Sequence, residues 1–250
     1  MKWTIDTTTQ TLTTEDEEIP LYSKEAFSLL SELWLKAGWN LRYHYTFSWL
    51  GRPVLQLPED LLRMQEVLWE LKPDLVIETG IALGGSLLFY ASLCQLNGKG
   101  SVVGIDIDLR PQNRTAIENH PLFPWITLLD GDSLAPATHE KLASLTKGKK
   151  SVLVVLDANH SYHHVRQELE QFAPLVTPGS YLVVADGFKK SLADVPRGKT
   201  RWEWDNPLNA IEDFLADHPE FTLQYPERRY NRSPVRLPVT HFPSGWLLKQ

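Results

Sequence analysis

A single cysteine in 250 residues, Cys94, excludes an internal disulfide. It lies on the apolar side of an expected helix, which suits a packed core thiol. Long hydrophobic runs are absent: none approaches the ~18 residues of a membrane span. Basic charge is in deficit, with 25 Lys and Arg against 31 Asp and Glu, and the net −6 argues against a nucleic-acid partner. The first residues are threonine-rich and then acidic (Glu15-Asp-Glu-Glu18), unlike the basic-then-apolar plan of a signal peptide. A soluble cytoplasmic protein is expected. The dinucleotide fingerprint G-x-G-x-x-G is also missing, which disfavours a nicotinamide oxidoreductase.

What the sequence does contain is organised around Asp74-Leu-Val-Ile-Glu-Thr-Gly-Ile-Ala-Leu-Gly-Gly-Ser86. Leu75 to Ile77 is the short apolar run of a strand buried on both faces. Glu78 and a turn built from Gly80, Gly84 and Gly85 follow, and a helical pattern runs from Ser86 to Leu96. Strand, glycine turn and helix in that order open an α/β nucleotide site. Glycines let a ligand approach the backbone, and a helix start offers unpaired N–H groups. A carboxylate at the strand end repels a pyrophosphate but suits an ammonium, which points to S-adenosylmethionine. Glu78, Thr79, Gly80, Gly84, Gly85 and Ser86 are the expected cofactor residues here.

Taken in order, residues 1–20 read as a flexible arm. Residues 21–72 form a helical and aromatic extension: apolar positions Phe27, Leu30, Leu33 and Trp34 recur at helical spacing. The aromatics from Trp39 to Trp49 favour packing over sugar stacking. Pro58 starts a second helix and Pro73 ends it. Residues 73–250 alternate strand and helix, with further strands expected at 102–106, 126–129, 152–156, 181–184, 221–225 and 246–248. Such alternation makes a mainly parallel, seven-stranded sheet with helices on both faces.

Ligands of open α/β sheets sit at the carboxyl ends of strands. The second strand ends in Asp106, with Asp108 beyond it. An acid there accepts ribose hydroxyls, and its 26-residue distance from Gly80 is near the ~20 expected. The third strand ends in Gly131-Asp132-Ser133, where an adenine could be flanked. The fourth ends in Asp157-Ala-Asn-His160 and the fifth in Asp186-Gly187. Neighbouring strands would bring Asp157 and Asp186 together, and two close carboxylates call for a cation. Mg²⁺ is the simple answer, since it takes oxygen ligands and keeps several waters. His160 reaches the same pocket and can take a hydroxyl proton, whereas His163 and His164 read as helix-surface residues.

These residues resemble the cephalosporin hydroxylase family, whose members look like S-adenosylmethionine-dependent methyltransferases and are related to rhamnose and macrolide-sugar O-methyltransferases. The matching segments lie between Trp49 and Pro178: Trp49-Leu-Gly-Arg-Pro53, Gln56-Leu-Pro58, Lys72-Pro-Asp-Leu-Val-Ile-Glu-Thr-Gly80, Gly84-Gly-Ser86, Gly104-Ile-Asp-Ile-Asp108, Leu156-Asp-Ala-Asn-His-Ser-Tyr162 and Ala173-Pro-Leu-Val176. The resemblance implies a Rossmann-like class I methyltransferase fold and a cofactor site at Glu78, Gly80, Ser86, Asp106, Gly131, Asp132 and Ser133. It implies a cation at Asp157 and Asp186, His160 as general base, and a homo-oligomer. The macrolide-sugar enzymes look to carry Glu-Asp where this chain has Ala185-Asp186, so one ligand is missing.

The expected activity is O-methyl transfer to a sugar, glycan, glycolipid or natural-product hydroxyl. Lys189, Lys190, Arg197, Lys199 and Arg201, with Trp202 and Trp204, follow the fifth strand; Arg228, Arg229, Arg232 and Arg236 fill the last connection. Two basic loops suggest an anionic acceptor met by Arg229, Arg232 and Trp202. A cofactor-binding protein without transfer is the rival that Ala185 raises. An iron hydroxylase would need two histidines and a carboxylate, and its nearest candidate, His218-Pro-Glu220, falls at a helix end.

Overall fold

The computed structural model describes residues 2–250. The seven-stranded sheet has the spatial order β8-β7-β6-β9-β10-β12-β11. Its strands are β6 (Leu75–Thr79), β7 (Val102–Asp106), β8 (Ile126–Asp130), β9 (Val152–Leu156), β10 (Tyr181–Val184), β11 (Phe221–Leu223) and β12 (Trp246–Lys249). The five from β8 to β10 are parallel, and β12 runs antiparallel to both its neighbours. Chain order reverses direction between β6 and β9, which opens a crevice at their carboxyl ends.

Side chains alternate across the sheet with the period of two that strands impose. Val76, Val155 and Val183 pack with α2 (Pro58–Leu71), α3 (Gly85–Asn97) and Ile117 of α4 (Pro111–Glu118). Leu75, Ile77 and Val154 pack on the opposite face with α5 (Pro136–Thr146), α6 (Tyr162–Phe172) and α7 (Pro207–Asp217). Proline opens α2, α4, α5 and α7, where its missing N–H costs nothing. Lys72 turns left-handed to stop α2 before Pro73. Cys94 is buried, and burial pushes its thiol up to about 11.

Ahead of the sheet, α1 (Lys24–Asn40) starts at Ser23, whose hydroxyl accepts from Ala26 N–H. A tight hairpin follows, β4 (Phe47–Trp49) and β5 (Arg52–Val54). Its aromatics mostly pack: Tyr43 meets Trp34 and Phe47 edge-on, and Trp49 donates its indole N–H to Ser92 Oγ at 3.1 Å. Among the described residues no helix is long and apolar enough to cross a membrane.

The structure corrects the expected flexible arm of residues 1–20, of which Met1 lies outside the described residues. β1 (Thr4–Asp6), β2 (Thr11–Thr13) and β3 (Glu18–Pro20) form an antiparallel meander. Leu12 and Ile19 are buried with Ala26 of α1. Three-residue strands with alternate threonines leave almost no hydrophobic period to read.

A buried acid ties the end of the chain to α2. Asp60, 2% exposed, accepts from Thr240 Oγ1 and from His241 N–H at 3.0 Å. Asp60→Ala strands both donors and is expected to cost about 2–3 kcal/mol, lowering the melting temperature by about 4–12 °C in circular dichroism. Asp60→Asn loses less. Burial raises the Asp60 carboxyl to about 7, so the native chain binds more protons than the unfolded one between pH ~4 and ~7. The wild-type margin over Asp60→Asn should therefore narrow as pH rises through that window.

Candidate active site

The crevice is set by strand register. Thr79 of β6 and Val184 of β10 both pair with Leu156 of β9, so Gly80, Asp157 and Ala185 emerge level with one another. Asp157 N–H donates to Thr79 O, and Ala185 N–H to Leu156 O, both at 3.0 Å. The approach at Gly80 is close: a Cβ there would lie 2.3 Å from the Asp157 carbonyl oxygen, and its φ of +86° favours glycine independently. One residue beyond Ala185, Asp186 takes a left-handed conformation (φ 56°), which an aspartate tolerates better than most side chains.

That turn carries the Asp186 carboxylate to 3.3 Å from His160 Nε2; Asp157 Oδ1 lies 4.0 Å from the same nitrogen. Asp157, His160 and Asp186 each place one ligand-type atom within 4.8 Å of the others, and the two carboxylates of this group are the hard oxygen donors that a divalent cation takes. Ala185 is fully buried in the α2–α3 side of the core and contributes no oxygen. Desolvation, then the neighbouring Asp186 and Glu78 charges, hold the Asp157 carboxyl well above the usual carboxylate range, against a lowering hydrogen bond from Gln56. Lys189 Nζ donates to His160 O at 2.5 Å and fixes the turn that bears the imidazole.

A cleft of about 200 Å³ joins this group to the glycine turn and is lined by Gly80, Gly84, Gly85 and Ser86 together with His44, Tyr45 and Gln56. Glu78 is wholly buried and accepts from Ser86 Oγ at 2.8 Å, while its second oxygen, Oε1, makes no hydrogen bond of normal geometry, the Tyr90 hydroxyl beside the carboxyl acting to lower its pKa. Burial raises this carboxyl to about 8. Thr79 is equally buried, and its hydroxyl accepts from Asp157 N–H at 3.3 Å.

Asp106 holds the glycine turn itself: Oδ2 accepts from Ile81 and Ala82 N–H at 2.9 and 3.1 Å, and Oδ1 from Asp108 N–H at 2.8 Å. Three of its about four acceptor positions are thus filled, leaving room for one ribose hydroxyl where two were expected. Asp108 is exposed. Gly131, Asp132 and Ser133 form a turn one strand further out, pinned by Thr138 Oγ1 on Asp132 O and His139 Nε2 against Ser133 O, both at 2.8 Å.

The acceptor residues do not gather at the cleft. Trp202 is 8% exposed and packs edge-on against Trp39 in a small core with Leu35, Leu57, Phe188 and Leu192. Arg229 pairs with Glu70 at 2.9 Å near the C-terminal end of α2, and Arg232 lies exposed on the same loop. Other basic side chains are also engaged, Lys190 with Asn209, Arg197 Nη1 with the Asn40 carbonyl and Arg201 with Asp205. His164 is not a plain surface residue either, since it pairs with the buried Glu168 at 3.4 Å. His218 is held by Glu170 and Glu220 and stacked on Phe214. Sequence reasoning missed Arg52, Gln56, His44 and Asn113; only the first two fell in motifs it had noticed.

A family model described as rhamnosyl O-methyltransferase/CmcI matches residues 41–250, well beyond the span from Trp49 to Pro178. The rhamnosyl O-methyltransferase of Mycobacterium leprae (strain TN) is 34% identical over 188 residues, 72% of this chain and 73% of that protein. That of Mycobacterium tuberculosis (strain H37Rv) is 33% identical over 194 residues, 76% of this chain and 73% of its own. Among solved structures, CmcI with Mg and SAM aligns at a TM-score of 0.56 and 21% identity, covering 82% of this chain and 77% of that one. This likeness identifies the Rossmann-like methyltransferase fold.

If Trp202 is a packing residue, Trp202→Ala should cost about 3–5 kcal/mol in a denaturant titration while the folded variant keeps its ligand affinities. A stable variant would return Trp202 to the acceptor surface.

Proposed function

The chain belongs to the rhamnosyl O-methyltransferase/CmcI family, and from that premise we propose that it is an S-adenosylmethionine-dependent O-methyltransferase acting on a sugar hydroxyl, free or carried by a glycan, glycolipid or natural product. One observation carries the reading: an imidazole and two carboxylates, Asp157, His160 and Asp186, stand together in the cleft that begins at the glycine turn.

The residues suit both groups that the family implies. Glu78, buried with one oxygen making no hydrogen bond of normal geometry, and the first turn of α3 suit the ammonium and carboxylate of a methionine moiety. Asp157 and Asp186 suit a divalent cation, which when bound supplies Lewis acidity and lowers the pKa of a hydroxyl. His160 supplies the base. With S-adenosylmethionine bound, the acceptor oxygen would take the methyl carbon as the carbon–sulfur bond breaks, and His160 Nε2 would take the hydroxyl proton. There the new imidazolium faces the Asp157 and Asp186 carboxylates at 4.0 and 3.3 Å. Much of the acceleration comes from holding the two substrates in line. Among the described residues no lysine or arginine lines the cleft, so the acceptor we assign is a neutral hydroxyl.

The test is transfer of labelled methyl from S-adenosylmethionine to an aryl rhamnoside. His160→Ala should lower the rate by about 10²–10⁴-fold with cofactor affinity retained. Transfer indifferent to His160, or no binding of S-adenosylhomocysteine, would overturn the proposal; binding without transfer to any sugar would leave a cofactor-binding protein. The cofactor's ammonium must displace the proton that Glu78 carries at neutral pH. Affinity should therefore rise by up to about tenfold per unit as pH approaches 8, and Glu78→Gln should abolish the rise.

A further inference from the structure

Two motifs of the extension, Trp49-Leu-Gly-Arg-Pro53 and Gln56-Leu-Pro58, take no part in the chemistry above, yet the structure sets both against the cleft. The β4–β5 hairpin lies backbone to backbone on the start of α3: a Cβ on Gly85 would fall 2.1 Å from the Pro53 carbonyl oxygen. From that position Arg52 reaches the glycine turn. Its Nε and Nη2 donate to Leu83 O at 2.9 and 2.6 Å, and Nη2 donates also to Asn113 Oδ1 at 3.0 Å. Asn113 Nδ2 in turn donates to Ala82 O at 3.0 Å. Asp106 grips the N–H groups of this turn from below, so Arg52 and Asn113 hold its carbonyls and complete the grip.

Four residues on, the same segment reaches the other half of the site. Gln56, 5% exposed, donates Nε2 to Asp157 Oδ2 at 3.1 Å. The oxygen left over, Oδ1, is the one that lies 4.0 Å from His160 Nε2. A carboxylate turns freely about its last bond unless a partner fixes it, and here a buried neutral amide does so without cancelling the charge a cation needs. Lysine or arginine in that place would compete with the cation. A hydrogen-bonded partner behind a metal-binding carboxylate orients it.

The geometry points to residues 52–56 as a positioning clamp with two arms, Arg52 setting the glycine turn that receives the cofactor and Gln56 setting the carboxylate that receives the cation. This rests on the methyltransferase reading, and both residues act through others without touching the reacting atoms. Because the arms serve different ligands, their losses should separate.

The experiment is a calorimetric titration of the full chain and its variants with Mn²⁺ alone and with S-adenosylhomocysteine alone. Gln56→Ala should weaken Mn²⁺ binding by about 10–100-fold and change S-adenosylhomocysteine affinity by less than about threefold. Arg52→Ala should show the reverse, and Arg52→Lys, which keeps the charge but loses the fork, should recover only part. Gln56→Met keeps the volume without the N–H and should behave as Gln56→Ala. A Met variant with wild-type Mn²⁺ affinity, or losses that move together in both variants, would overturn the clamp in favour of plain packing. Failure of the unsubstituted protein to bind Mn²⁺ would also overturn it. Failure to bind S-adenosylhomocysteine would instead remove the methyltransferase reading beneath it.

Discussion

The close approach of β6 and β9 at their carboxyl ends constrains everything else in this molecule. The Asp157 backbone passes so near Gly80 that no side chain fits between them, and the hydrogen bond from Asp157 N–H to Thr79 O locks the two strand ends level. That contact fixes where the glycine turn begins and where the turn bearing Asp157 and His160 leaves the sheet. A shift of one residue in the pairing would send Asp157 to the other face, because strand side chains alternate. The register is held over five paired positions of apolar, fully buried strand.

The second organising fact is a crowding of carboxyl groups in a sheltered place. Glu78 and Asp157 are pushed upward mainly by desolvation, and Asp157 also feels Asp186. An isolated chain gains nothing from such an arrangement; buried charges are tolerated when paired or when a ligand compensates them. The left-handed backbone at Asp186 adds local strain at the same spot, and strain of this kind gathers where function requires a fixed geometry. Positive charge is the kind that relieves such a crevice.

Legibility in the sequence followed the range of the interactions involved. The sheet strands and α2 were readable because their signals are local: continuous apolar runs, a proline at the helix start and a proline just after its end. That Asp157, His160 and Asp186 lie together was readable because the two aspartates close apolar strands and His160 stands three residues beyond the first. Arg229 and Trp202 misled for the opposite reason. Arg229 is neutralised by Glu70, which is 159 positions away in the chain, and Trp202 is covered by Trp39 and Leu35 of α1. The distant partners leave no trace near the residues they meet, although Glu227, two positions from Arg229, also lies 3.7 Å from its guanidinium. Asp106 shows a subtler case: its place at a strand end suggested a ribose ligand, but three backbone N–H groups also claim it.

The boundary between an extension and a catalytic domain, natural in the sequence at Pro73, has no counterpart in how the cleft is built. Arg52 of the extension's hairpin and Gln56 just beyond it grip two halves of the site, His44 and Tyr45 line the cleft, and α2 belongs to the same core as α3. Asp60 of α2 also holds Thr240 and His241, and His241 O accepts from Phe188 N–H two residues after Asp186. The Asp186 turn is therefore backed by the chain's last segment, and that segment by the extension. Gln56 and Asp60 lie four residues apart and steady the turns of the two carboxylates, one directly and one through the 240–242 backbone. The arrangement of charge at the site is thus inseparable from the folding of residues 44–60 onto the sheet.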